Sequence, residues 1–412
     1  MHKHRWHYKT LQELEQALVE LNLHIPFSDD TSILANPLTL DGKTIHNRIV
    51  YQPMEGGDSG LDGTPSEQTT RRYKNFAKGG AGIIWVEAVP VLPEGRSNPH
   101  QLYIHEKNLD AFKQFVEDMR TECARENGFN PFIVIQYTHT GRYSHPKGIS
   151  AAITAHRNPK IEERFNPEGS IIISDDGLKR YEEAMGISCD LAEKAGFDGA
   201  EVKCCHGYLA QEFLTAYERP GPYGGSFENR TRLIRNAIES ARVNTSKSFT
   251  ITSRINMYDG YPHPWGFGAL EDGTPDLTEP LKLAEMLRLG GMKLLNLTSG
   301  SPSNFTLTCP RDNGPEHPLE GVARMLTLTE KIKQANPDML IVSSAYSYLR
   351  EFSPLAMAGS ILSGASDLVG YGRMSFAYPD AARDIIAGTL DKSKLCLCCR
   401  ECGYPCKVRG VQ

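Results

Sequence analysis

The sequence predicts an α/β protein built as a closed (β/α)8 (TIM) barrel, and three observations lead there. Short apolar runs recur along the 412 residues, each passes into polar or glycine-rich residues and then a helix-period stretch, and eight such runs can be counted. Runs that are apolar on both faces mark a parallel sheet covered by helices, and eight strand–helix repeats imply closure. An open doubly wound sheet is the alternative. It is weakened because no GxGxxG follows the first run and no Walker A motif occurs.

In order, the strands are RIVYQPM (48–54), AGIIWVEA (81–88), FIVIQY (132–137), DGAEV (198–202), FTITSRI (249–255), KLLNLT (293–298), LIVSSA (within 339–345) and DLVG (367–370). Helical patterns lie between them in SEQTTRRYKNFAKG, NLDAFKQFVEDMRTECAREN, LKRYEEAMGISCDLAEKAG, NRTRLIRNAIESARV, EPLKLAEMLRLGG, ARMLTLTEKIKQAN and the stretch near SPLAMAGSILSGAS. Two connections are long, roughly 138–180 and 256–280, and both follow strand C-termini, the face on which barrels build their sites.

Ahead of the barrel, residues 1–34 read as a helical extension. Thr10 and Glu13 have capping-box spacing, Leu11, Leu14, Leu18 and Leu21 share one face, and Glu13, Glu15 and Glu20 interrupt any signal-peptide core. The barrel is expected over 35–392 and a cysteine-rich tail over 393–412. With 45 Lys+Arg against 50 Asp+Glu, the net charge of −5 gives no basic face for nucleic acid or an anionic membrane. No apolar run is long enough to span a bilayer. A cytoplasmic protein acting on small molecules is expected, with pairing into a homo-oligomer left open. Of ten cysteines, five crowd into Cys396–Cys406, which suggests one local metal site in a reducing compartment rather than a disulfide framework.

Polar groups converge on the predicted carboxyl rim. Glu55 follows the first strand; Gln136, His139 and Arg142 follow or end the third; Lys203, His206 and Tyr208 follow the fourth; Arg254 ends the fifth; Gly372 and Arg373 follow the eighth. Each has a plainer reading. Lys203 and Arg254 could be structural ion pairs, His206 a satisfied rim histidine, and His139 and Arg142 the fasteners of a long loop, while Cys204 and Cys205 read as packed thiols.

The segment AEVKCCHGYLAQEFLTAYERPGPYGGSFENRTR resembles the signature of the Old Yellow Enzyme family of FMN-dependent barrel oxidoreductases. NRIVYQPM, GGAGIIWVEAVPVLPEGR, IQYTHTGR and DLVGYGRMSFAYPD resemble further family segments in the same order, from about residue 35 to 390. The resemblance implies that Pro53, Met54 and Glu55 touch the flavin ring with Ala88 beside it, that Gln136 binds the pyrimidine edge, and that Arg254 lies near the ring's electron-rich end. Backbone groups at Ser344, Ala345, Gly372 and Arg373 would hold the phosphate, consistent with glycine allowing close approach to an anion and Arg pairing with it. It further implies that Lys203 and His206 donate to the oxygen of an α,β-unsaturated carbonyl, that Tyr208 protonates the α-carbon, and that FMN, reduced by NADH, NADPH or an electron-donor protein, delivers hydride to the β-carbon. Donors preorganised at an oxygen where charge develops are worth about 3–4 kcal/mol each. Unsaturated ketones, aldehydes or acids are the expected substrates, with His139 and Arg142 among their ligands.

Four positions depart from the family: Lys203 stands where His is usual, Glu55 where Thr or Cys is usual, and Ser344 and Ala345 where small glycines are usual. In the tail, Cys396-x2-Cys399-x2-Cys402-x3-Cys406 has spacing known from [4Fe–4S] ligation, with Zn2+ as the alternative and Cys398 left over. Barrels of the related 2,4-dienoyl-CoA reductase group carry a cluster at about this place and continue into nucleotide-binding domains; with the sequence ending at 412, no such electron-input module is expected. Two other functions fit the same residues. One is a redox-partner or sensor flavoprotein passing electrons between FMN and the tail cluster. The other is a non-flavin lyase using Lys203 as a Schiff-base nucleophile.

Overall fold

The computed structural model describes residues 5–163, 169–302, 310 and 316–399. Eight parallel strands close into a barrel in chain order: β1 (Ile49–Tyr51), β2 (Ile83–Pro90), β3 (Phe132–Thr138), β4 (Gly199–Cys204), β5 (Thr250–Asn256), β6 (Leu294–Thr298), β7 (Leu340–Ser343) and β8 (Leu368–Tyr371). The ring is completed where β8 pairs with β1, Gly370 opposite Val50 and Tyr371 opposite Tyr51. Each of the eight apolar runs therefore became a strand. The first is shorter than the run: Gln52 still donates its amide to the Tyr371 carbonyl at 2.9 Å, and Pro53 and Met54 then pass to the rim.

The outer layer contains α1 (Glu67–Lys78), α2 (Leu109–Asn127), α3 (Asp175–Lys194), α4 (Arg232–Val243), α5 (Thr278–Leu289), α6 (Pro318–Ala335), α7 (Ser353–Leu362) and the short α8 (Arg373–Ala377). Helix α6 starts earlier than its apolar period suggests, since Pro318 occupies the first turn and His317 with Glu320 forms a capping box.

Alternation along the strands sorts side chains into two cores. Ile133, Ile135 and Tyr137 of β3, like Ala200 and Val202 of β4, face the helices and join the large outer core. Phe132 and Val134 face the other way, into a smaller core with Val50, Ile83, Trp85, Leu294, Val342 and Leu368. Leu40 and Ile45 belong to that inner core and come from an antiparallel hairpin, Leu38–Leu40 with Lys43–Ile45, which plugs the N-terminal end of the barrel. The N-terminal helix Leu11–Glu20 is capped by Thr10, which accepts from the Glu13 amide, and buries Leu14 and Leu18 against the outer core. Among the described residues, no helix is long and apolar enough to cross a membrane.

Candidate active site

Above the inner core, the inward positions turn polar. Asn296 donates to Gln52 Oε1 at 2.8 Å and to Glu201 Oε2 at 3.1 Å. Gln136 donates to Glu201 Oε1 at 2.5 Å, and Gln52 Nε2 to Ser344 Oγ at 2.9 Å. This layer draws from β1, β3, β4, β6 and the end of β7. Gly370 makes room for it, since a Cβ there would lie 2.4 Å from Gln52 Nε2. Burial raises the Glu201 carboxyl above the usual range, and the Arg254 cation opposes that rise.

One step further along the strands lies a cavity of about 240 Å3. Pro53, Met54 and Glu55 form one wall, Lys203, His206 and Tyr208 another, with Arg254 between strands and Ser344, Ala345, Gly372 and Arg373 at the far side. The fold thus gathers these sequence-predicted residues, together with Gln52, around one space. The strand geometry explains why: Lys203 sits opposite Arg254 in the β4–β5 register, and both occupy the same inward-facing parity as Glu201.

Lys203 Nζ lies 3.7 Å from Glu55 Oε1 and 3.7 Å from the centroid of the Tyr208 ring. Burial pulls its pKa down while the Glu55 carboxylate works against that. The Tyr208 hydroxyl donates to Glu55 Oε1 at 2.8 Å; burial first, then the Glu55 charge, push the phenol well above its ordinary value. His206, with a left-handed φ of 60°, brings Nε2 to 3.0 Å from Thr298 Oγ1. Burial, reinforced by Arg254 and Lys203, holds its pKa well below normal, so the ring is neutral at physiological pH.

Four predicted residues lie outside the cavity wall. Ala88 is buried in β2, its carbonyl accepting from Gln101, and Gln136 is held one layer deeper by Glu201. His139 and Arg142 also lie outside it. His139 continues the outward-facing parity of β3, accepts from the Gly141 amide through Nδ1, and packs near Tyr181 of α3. Its pKa is lowered to about 4 by burial. Arg142 is buried against Glu212 at 2.6 Å and Glu162 at 3.3 Å. Both fasten the long third loop, and neither lines this cavity.

Sequence reading missed Gln52 and Thr298. Each extends an inward-facing row past the apolar layer, so strand parity alone would have found them. Cys204 and Cys205 are buried thiols whose pKa values burial raises. In the tail, Cys396 is buried with its sulfur 4.0 Å from that of Cys398, the thiol left over by the spacing, while Cys399 is exposed. Cys402 and Cys406 lie outside the described residues, and among the described residues no cluster of three metal-ligating side chains occurs.

The cavity suits FMN on three counts. Arg254 presents a buried Nε with no hydrogen-bond partner. Lys203, Arg254 and Arg373 outnumber the one carboxylate among the lining residues, Glu55, which favours an anionic ligand. At the far side, Gly372 keeps open a space in which a Cβ would come within 3.3 Å of Met54 Sδ.

Comparison with known proteins agrees with this geometry. Residues 34–391 match the model of the NADH:flavin oxidoreductase / NADH oxidase family. The chain is 27% identical over 395 residues to cinnamate reductase of Clostridium sporogenes, covering 90% of this chain and 55% of that protein. It is 30% identical over 272 residues to an NADPH dehydrogenase of Bacillus pumilus, covering 65% of this chain and 73% of the relative. Among solved structures, 2-naphthoyl-CoA reductase superposes with a TM-score of 0.72 at 19% identity, over 87% of this chain and 52% of that one. The old yellow enzyme homologue of Zymomonas mobilis superposes with a TM-score of 0.64 at 20% identity, over 87% and 93%. At such identities the structural likeness speaks for the fold alone. The chain spans about half the length of cinnamate reductase and of 2-naphthoyl-CoA reductase.

Proposed function

This chain belongs to the NADH:flavin oxidoreductase / NADH oxidase family, the Old Yellow Enzyme family its motifs resemble, and from that premise we propose that it reduces the activated C=C bond of an α,β-unsaturated ketone, aldehyde or acid. The observation that carries the proposal is the meeting of Tyr208, His206 and Lys203 with Arg254 and the Ser344–Ala345 and Gly372–Arg373 turns around one cavity. Pro53, Met54, Arg254, Ser344, Ala345, Gly372 and Arg373 would hold FMN. When bound and reduced by NADH or NADPH, FMN would supply hydride for the substrate β-carbon.

The remaining steps fall to the protein's own groups. The neutral His206 ring and the Lys203 ammonium orient the substrate carbonyl and stabilise the negative charge that develops on its oxygen. Lys203 in the usual place of a histidine brings a full positive charge, which favours a more anionic oxygen and suits a substrate carboxylate. Tyr208 provides the α-carbon proton from its hydroxyl. Burial keeps that phenol protonated across the neutral range, so the donor always carries its proton.

Tyr208→Phe tests the proposal. Reduction of bound flavin by NADH or NADPH should persist, while turnover of an enone such as cyclohexenone, or of cinnamate, falls by about 10²–10⁴-fold, the usual contribution of a positioned acid. Unchanged turnover would remove Tyr208 as donor. For the tail, we propose that Cys396, Cys399, Cys402 and Cys406 ligate a [4Fe–4S] cluster or Zn2+, and metal analysis of anaerobically purified protein decides between them.

A further inference from the structure

Glu55 stands where the family pattern has an uncharged Thr or Cys, and its carboxylate is turned toward the phenol of Tyr208. Oε1 accepts from Tyr208 Oη at 2.8 Å, Oε2 accepts from Ser97 Oγ at 2.9 Å, and Lys203 Nζ stands 3.7 Å from Oε1. The loop that carries it is tied down. The Gly56 amide donates to Glu87 Oε2 at 2.8 Å, and Arg72 of α1 bridges Asp58 and Glu87, each at 2.7 Å. Exposure differs across the group: the Glu55 side chain is 18% exposed and that of Lys203 only 6%, while Tyr208 as a whole is 8% exposed. Of the three groups, the Glu55 carboxylate is the most exposed.

We propose that Glu55 is a positioning and proton-relay residue for Tyr208: it aims the phenol and returns a proton to it from solvent after each turnover. The inference rests on the reading of Tyr208 as proton donor. In the donation step the Tyr208 O–H bond breaks and a C–H bond forms at the substrate α-carbon, leaving a phenolate. The Glu55 carboxylate takes a proton from a solvent acid, hydronium or protonated buffer, whose conjugate base stays in bulk, passes it to the phenolate oxygen, and returns to the carboxylate. No electrons change hands, and one solvent proton enters for each one delivered.

The charges facing the phenol fit such a cycle. Lys203 lies over the ring and stabilises the phenolate while it lasts; Glu55, Tyr143 and Cys205 favour the protonated phenol. The phenolate is thus a strong enough base to draw a proton through a carboxyl group.

The test uses the FMN-loaded protein with Glu55→Gln, which preserves an acceptor for the phenol but cannot take up and pass on a proton, and Glu55→Ala, which opens space for a small acid. Glu55→Gln should keep the first enone turnover, because Tyr208 starts protonated, and lose about 10²-fold in steady state, the low end of a general acid's contribution. Formate should restore turnover in Glu55→Ala. Independently of turnover, near-ultraviolet titration of ligand-free protein should show Tyr208 ionising at lower pH in Glu55→Gln than in the parent, the signal vanishing when Tyr208→Phe is added. Tyrosine ionisation unmoved by Glu55→Gln, or turnover in Glu55→Ala that formate leaves unrescued, would overturn the proposal. A parent that turns over no enone removes the donor reading itself, and the ionisation titration then decides alone whether Glu55 and Tyr208 are coupled.

Discussion

At the N-terminal end of the barrel the inward residues are Val50, Trp85, Val134, Leu294 and Val342, closed off by Leu40 and Ile45 of the hairpin. Two residues further along β1, β3, β6 and β7 they are Gln52, Gln136, Asn296 and Ser344, with Glu201 from β4, and beyond them stand Lys203, Arg254 and Thr298, while on β2 a bulge turns Glu87 toward Arg72 of α1. One period-2 pattern thus passes through a dry layer, a hydrogen-bonded layer and a charged cavity. The contrast teaches a division of labour. The plugged end supplies burial, roughly 25 cal/mol per Å2 of apolar surface removed from water. The open end gives up part of that stabilisation to hold ionisable groups in a poorly solvated place, where their protonation can be tuned.

That division can be broken first at the dry end. Trp85→Ala should destabilise the fold by about 3–5 kcal/mol, as a large cavity in a sealed core does, while the molecules that remain folded bind FMN as the parent does. Calorimetry and flavin titration on one sample would check both halves. Loss of FMN affinity in the folded fraction would mean that the two ends are not separable.

A smaller effect belongs to the open end. Asp259, in the loop after β5, accepts from the amides of Tyr261 and Phe267, and from Gln211, which in turn accepts from the Gly207 amide beside His206. Burial raises its pKa from 3.8 to about 7. A carboxyl raised on folding contributes stability that is fully present below its unfolded pKa and is lost as pH rises through its folded one. The parent should therefore lose stability between about pH 4 and pH 7, with a slope of at most roughly 1.4 kcal/mol per pH from this one group. Asp259→Asn should flatten this slope, so that its Tm relative to the parent rises with pH. Parallel pH curves for the two proteins would contradict the assignment.

The eight strands were legible because burial on both faces leaves a continuous apolar run, and the rim was legible because those runs end in polar residues. Parity was the part left unread. Counting inward from Val134 gives Gln136 and then Thr138, so His139 had to face α3, and Tyr181 is what it meets. The same count along β6, from Leu294 through Asn296, leads to Thr298, the partner of His206. The commitment of Arg142 could not be read this way. Its partner Glu212 lies seventy residues on, in the turn after β4, and only the folded chain brings them together. Likewise the residue types show that Glu55 departs from the family, but the contact that gives it a role, with Tyr208, joins the ends of β1 and β4.

The central claim is that the open end of the barrel holds FMN. Titration of flavin-free protein with FMN, followed by quenching of flavin fluorescence, tests it directly when three variants are compared with the parent. Leu40→Ala at the plugged end should bind like the parent, whereas Arg254→Met, and Gly372→Ala with its added Cβ at the phosphate side, should each weaken binding by about tenfold or more, a loss of ~1.4 kcal/mol. A protein that takes up no FMN, or one whose affinity is the same in all three variants, would contradict the account.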